Sequence, residues 1–138
     1  MSYENTGPIV QQPSSSDLSF IAGTGGVTAG QAVYISSTGT VLPTTGPMQF
    51  VGIVKVGASA GKICTVIRNT AKARATAYGT VNAGDIVISG PNGTIQTLAS
   101  VAGSDLSGGT ALAVNNANSR KAVCDTGASS GGTAVIIL

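Results

Sequence analysis

Two stretches of the chain match G-x-S-x-G, a pattern that can present a nucleophilic serine: Gly57-Ala58-Ser59-Ala60-Gly61 and Gly127-Ala128-Ser129-Ser130-Gly131. Acyl transfer at such a serine needs a strand-to-helix elbow and a base to take its proton. The chain contains no histidine, and strand-like residues follow both sites. With 20 glycines in 138 residues, chance matches are expected, and both stretches read as turns.

Other chemical patterns fail on spacing or on a missing partner. Ser59-Ala60-Gly61-Lys62 fits S-x-x-K, but Ser104-Asp105-Leu106 breaks the S-D-N element and no Lys-Thr-Gly occurs. Gly57 through Lys62 has three residues between its glycines where a phosphate loop has four, and Ile63 replaces the hydroxyl that would reach magnesium. Gly23-Thr24-Gly25-Gly26 begins like a dinucleotide fingerprint, but Thr28 stands in place of the third glycine. The carboxylates Glu4, Asp17, Asp85, Asp105 and Asp125 sit at turns or in the leading segment, where a side-chain oxygen serves local backbone. No spacing of metal ligands is present. The sequence therefore implies no catalytic residue, no cofactor and no metal.

One charge feature remains. Lys55, Lys62, Arg68, Lys72 and Arg74 fall within twenty residues, with no acid between Asp17 and Asp85. This is a basic contact face for an acidic protein surface or a phosphate backbone, or else an ordinary solvated face. The lack of stacking aromatics weighs against nucleic acid, since only Phe50 and Tyr78 flank the segment.

The elements that must position these residues are strands. Charged residues make up 9% against 42% hydrophobic, which opposes wholesale disorder. The length suits one domain. Net charge is +2, too small to imply a nucleic-acid or membrane partner. No run reaches the 18 or more apolar residues of a spanning helix, and the start lacks the basic and apolar regions of a secretory signal. Cys64 and Cys124, 60 positions apart, read as two free buried thiols of a protein made in a reducing cytoplasm.

Residues 1–22 read as an extended arm, with Pro8, Pro13 and a serine run, and sticky points at Tyr3, Ile9, Val10, Leu18, Phe20 and Ile21. The plainer reading is a disordered terminus. From Val27 the pattern is strand, turn, strand: Val27–Ile35, a turn at Ser37–Thr40, Phe50–Val56, Lys62–Arg68, and Val81 with Ile86–Ile88. Pro91-Asn92-Gly93-Thr94 is a two-residue hairpin signal. Residues 70–77, alanine alternating with polar residues, favour a strand. Thr110–Val114, Ala122–Cys124 and Thr133–Leu138 close the chain.

Residues 27–45 and 81–99 align without a gap at an offset of 54, Val27 with Val81, Gly30 with Gly84, Val33 with Val87 and Gly39 with Gly93. Beyond them, Phe50–Val56 and Lys62–Arg68 loosely match Thr110–Val114 and Lys121–Cys124. The expectation is all-β: a compact β-barrel or β-sandwich built from two similar β units in one domain, 23–138, behind an N-terminal arm.

The succession Gly26–Val33, Phe50–Val54, Ala60-Gly61-Lys62 and Gly79–Val87 resembles the small capsid cement, or decoration, proteins of tailed bacteriophages, with their "V-x-A-G-D-x-V" and "V-G-I-(V/A)" elements. The resemblance covers about residues 23–138. It implies a β-rich homotrimer on the outer surface of the virion, made in the host cytoplasm and bound to the major capsid protein, which it clamps against internal pressure without catalysis. Nucleic acid and membrane are not expected partners. Residues 1–22 would suit the arm that reaches the capsid; the arm is assigned by composition. A head-spike, tail or fibre component that binds the host surface is the alternative, against which the absence of tryptophan weighs. A small hydrolase and a cellular β-barrel binding module are the remaining readings.

Overall fold

The computed structural model describes residues 17–68, 72–98 and 121–138. Its strands are β1 (Asp17–Ala22), β2 (Ala32–Ser37), β3 (Thr40–Pro43), β4 (Gly52–Val56), β5 (Ile63–Ile67), β6 (Lys72–Thr76), β7 (Ile86–Ser89), β8 (Ile95–Thr97), β9 (Ala122–Thr126) and β10 (Thr133–Ile137). The first five form a closed barrel in the order β1-β3-β2-β4-β5, and the last five a sheet in the order β6-β10-β9-β7-β8. The all-β expectation holds, as does the strand at 72–76. The hairpin at Pro91–Thr94 turns through Asn92 at φ 56° and Gly93 at φ 73°, the positive pair a type I′ turn requires.

The two units are one design used twice. Asp17↔Ile67 and Ile21↔Ile63 in the first correspond to Lys72↔Ile137 and Thr76↔Thr133 in the second. Ala32↔Ile53 corresponds to Ile86↔Val123. Even the bulge is repeated: Val54↔Val66 then Val56↔Thr65, against Cys124↔Ile136 then Thr126↔Val135. The parallel closure Ala22↔Val41 returns as the single bridge Ala77↔Ile95, so the second unit is the same barrel, less tightly shut.

The cores agree residue by residue. Ala22, Val27, Val33, Val41, Val54, Cys64 and Val66 fill the first barrel. Their counterparts Ala77, Val81, Val87, Ile95, Cys124, Ala134 and Ile136 fill the second. Alternation places these side chains inside and their neighbours outside, as pleating demands.

Two expectations are corrected here. The counterpart of β4–β5 is β9–β10 at an offset of 70, not Thr110–Val114 with Lys121–Cys124. The offset grows because the second unit carries a longer connection between β8 and β9, and Thr110–Val114 lies outside the described residues. Residues 17–22 are not arm. They form β1, pairing with β5 over five residues and with β3. Leu18 and Phe20 face Val66 and Cys64 from the inner side of the barrel, so their apolar character serves its own fold.

The units are joined by more than chain. Ala32, Phe50 and Ile53 leave the first barrel's surface to enter the second unit's core. A buried polar network secures the other side: Thr44 Oγ1 donates to Gly90 O at 2.8 Å, and Ser89 Oγ donates to Gly46 O at 2.7 Å. Buried groups satisfied in this way fix the two units in one arrangement.

Candidate functional surfaces

The G-x-S-x-G stretches are the β4–β5 and β9–β10 turns, one motif repeated by duplication. Both glycines have backbone reasons. A Cβ on Gly57 would lie 2.6 Å from Val27 O, where Val27 and Ala58 exchange backbone hydrogen bonds. Gly127 meets Val81 O in the same way. Gly61 and Gly131 stand at φ 82° and 84°, left-handed positions suited to glycine. Ser59 is exposed on its turn, and its carbonyl accepts from Lys62 N. A strand follows each serine, so neither stands on a strand-to-helix elbow.

The five basic residues do not make one face. Lys55, Lys72 and Arg74 line a groove between the units, with Gly30, Ile53, Ile67 and Thr133 among its walls. Lys62 stands exposed at the β4–β5 turn. Arg68 lines a separate hollow with Tyr34, Gln49 and Phe50. Within the groove two charges are already answered: Lys55 Nζ meets Asp17 Oδ2 at 3.0 Å, and Lys72 Nζ meets Asp125 Oδ2 at 3.3 Å. The sequence offered no sign of this, because each acid is distant along the chain and arrives by strand pairing.

Of the apolar positions assigned to the arm, Leu18 and Phe20 are half-buried and Ile21 is exposed on the outer side of β1. Tyr3, Ile9 and Val10 lie outside the described residues. Sequence reasoning missed the outward-facing apolar side chains of the second barrel, Ile86, Val123 and Ile137, which form one cross-strand row.

Cys64 and Cys124 are free and buried, as expected. They occupy unlike places: the counterpart of Cys64 is Ala134, and that of Cys124 is Val54. Burial pushes both thiols above their ordinary value; for Cys124 the carboxylates of Asp85 and Asp125 push the same way. Both are small core residues with suppressed thiolate chemistry.

Asp85 closes its loop by accepting from Asn82 N at 2.9 Å, and Gln31 does the same for Thr28 N at 2.9 Å. The acid and the amide at these matching positions are turn caps. Among the described residues no group of three or more metal-ligating side chains gathers.

No protein-family model matches the chain, and no curated protein does. Among solved structures, the chain is similar to the N base of head fiber gp8.5 in bacteriophage phi29, with a TM-score of 0.61 at 12% identity. The match covers 88% of this chain and 92% of that one. The two share a fold across nearly their whole lengths.

Proposed function

We propose that the chain is a structural protein of the tailed-phage virion. It attaches to the outer surface of the assembled capsid lattice as a cement, or decoration, protein and stabilises it without catalysis. The observation that carries this reading is the shared fold over 88% of the chain with a head fiber base, a component of a phage head. The resemblance of Gly26–Val33 and Gly79–Val87 to cement proteins points the same way and rests on different information.

The physics suits the role. Cementing needs contact area and rigidity, not reactive groups. Burying several large apolar side chains contributes on the order of 1.5–3 kcal/mol each before ordering costs. Multivalent attachment of a homotrimer makes the second and third contacts intramolecular. The major capsid protein is the partner, and the segment that reaches it is residues 1–16, since Asp17–Ala22 form β1.

A second reading is a head fibre base, favoured because the structural neighbour is one. In that role the barrels would carry a projection and contribute little to lattice strength. The test is capsid binding and thermal stability with the full chain and with residues 1–16 removed. A cement protein raises the melting temperature of expanded capsids, and the shortened chain binds more weakly. Binding with no gain in capsid stability favours the fibre base. No affinity for capsids overturns both readings.

A further inference from the structure

The duplication exposes two surfaces whose counterparts are already in contact within the chain. The outer row of the first barrel is Ala32, Ile53 and Ile67, joined strand to strand. Ala32 and Ile53 are fully buried, because the second unit lies on them. The matching row of the second barrel is Ile86, Val123 and Ile137, and its exposures are 48%, 46% and 37%. The same sheet position is thus covered once and bare once, and the bare copy is wholly apolar.

The opposite face repeats the relationship. The second unit meets the first through Ala75, which shares a core with Ile53, through Thr76, and through Gly93, whose N–H donates to Thr44 O at 2.9 Å; Arg74 and Thr133 border the groove beside that contact. Thr76 N–H also donates to Gly30 O at 3.2 Å. The counterparts of those five residues in the first barrel are Ser19, Phe20, Ile21, Ile63 and Gly39. They line a hollow of about 170 Å³ on the surface. Where the second unit has Thr76 at the contact and Thr133 at the groove's edge, the bare face has Ile21 and Ile63, the latter 68% exposed. A contact between separate molecules has no linker to hold it. It must supply its own association free energy, and isoleucine offers more apolar area to bury there than threonine does.

We infer that the chain self-associates head to tail: the Ile86–Val123–Ile137 row of one copy seats on the Ser19–Phe20–Ile21–Gly39–Ile63 face of the next, repeating between molecules the contact that joins the two barrels within one. The occupant of each bare surface is a second copy of this chain, by continuity with the interface between its own halves. Because the two faces differ, the contact is heterologous; it makes a ring, and so a discrete assembly, when the rotation between successive copies closes, and a filament when it does not. In either form the two kinds of barrel alternate along the assembly. Rim charges do not oppose it, since Asp17 and Asp125 are each neutralised by a lysine of their own barrel. The inference does not depend on the capsid reading and is tested without particles.

The experiment is light scattering after size exclusion on the full chain and two variants. Val123→Asp spoils the head row. Ile21→Thr with Ile63→Thr spoils the tail face, and it is safe for folding because the second barrel carries threonine at both matching positions. Circular dichroism confirms the folded state of each. The unaltered chain is expected as a multiple of 13.4 kDa, and each variant as a species whose association is weakened at least tenfold. Mixing the variants is the decisive arm. Each keeps one sound face, so together they form a one-to-one dimer at raised concentration and nothing larger. A monomeric unaltered chain overturns the inference. So do variants that assemble like the unaltered chain, which would assign the rows to other occupants such as residues 1–16 or 99–120. A mixture that stays monomeric while the unaltered chain assembles overturns the head-to-tail geometry.

Discussion

Lys72 occupies in the second barrel the place that Asp17 occupies in the first. Both open the strand that pairs with the unit's last strand, opposite Ile137 and Ile67 respectively. Their partners are exchanged as well: Asp17 is held by Lys55 and Lys72 by Asp125, and Lys55 and Asp125 are matching bulge residues. The duplication kept the ion pair and reversed its polarity. Both pairs are well exposed, so each contributes about 0.2–1 kcal/mol and less in salt. Asp17→Lys alone places like charges together and lowers the urea midpoint slightly. Adding Lys55→Asp, which gives the first barrel the polarity of the second, restores it. If the double exchange is no better than the single one, the pair has no energetic role.

The core cysteines make a second prediction. Because Cys64 matches Ala134 and Cys124 matches Val54, the same barrel is already built with alanine and valine there. Cys64→Ala and Cys124→Val should each cost at most about 1 kcal/mol, well below the 2–5 kcal/mol of emptying a large core site. The unaltered thiols should resist alkylation until the protein unfolds. Their raised values also fix a pH slope. The unfolded chain ionises its thiols first as pH rises past the ordinary thiol range, so stability is intact below that range and falls above it. Unfolding midpoints measured from neutral to alkaline pH should show this fall, and the double variant should lose the part due to the cysteines.

Much of this fold was legible in the sequence, and the failures have definite causes. The alternation of β-branched residues announced strands, and Asn92-Gly93 announced its turn, because both signals are local. The offset of 54 announced the duplication through Val27–Gly39. The second halves align with the wrong partners, Phe50–Val56 with Thr110–Val114, because the β8–β9 connection is longer than its counterpart and the outward residues have diverged, Ile53 to Val123 and Lys55 to Asp125. β1 reads locally as arm because Leu18 and Phe20 alternate with polar residues over only six positions beside a serine run. What closes the barrel is long-range pairing with β5, which no local pattern records. The bare rows were invisible for the same reason. Ile86 and Val123 look like core until the sheet shows which face each occupies.

The turn glycines give a third prediction, and it separates two kinds of need. At Gly57 a methyl group meets Val27 O at 2.6 Å and Thr28 Cα at 3.1 Å, both backbone atoms that cannot swing aside. Gly57→Ala should therefore cost about 1–3 kcal/mol or more, through overpacking. Gly61 has open space around it but sits at φ 82°. Gly61→Ala should cost about 1–2 kcal/mol, through the left-handed backbone alone. Gly61→Asn, which tolerates that region better, should recover part of the loss, whereas Gly57→Asn should be worse than Gly57→Ala. Chemical denaturation of the four variants reads this ordering directly.

The last prediction concerns where the arm ends. Removing residues 1–16 leaves β1 whole, with Asp17 still on Lys55 and the five-residue ladder to β5 intact. Removing residues 1–22 takes away the strand that joins β3 to β5, opening the first barrel and exposing Val41, Cys64 and Val66. A five-stranded barrel cut to four strands loses its closure and leaves two unpaired edges. The shorter deletion should melt cooperatively, near the full chain. The longer one should bind a hydrophobic dye, aggregate on concentration and react at Cys64 with alkylating reagents, while Cys124 in the second barrel stays protected for longer. If the longer deletion were as stable as the shorter, β1 would be an appendage, and the closed barrel would not be what holds the first unit together.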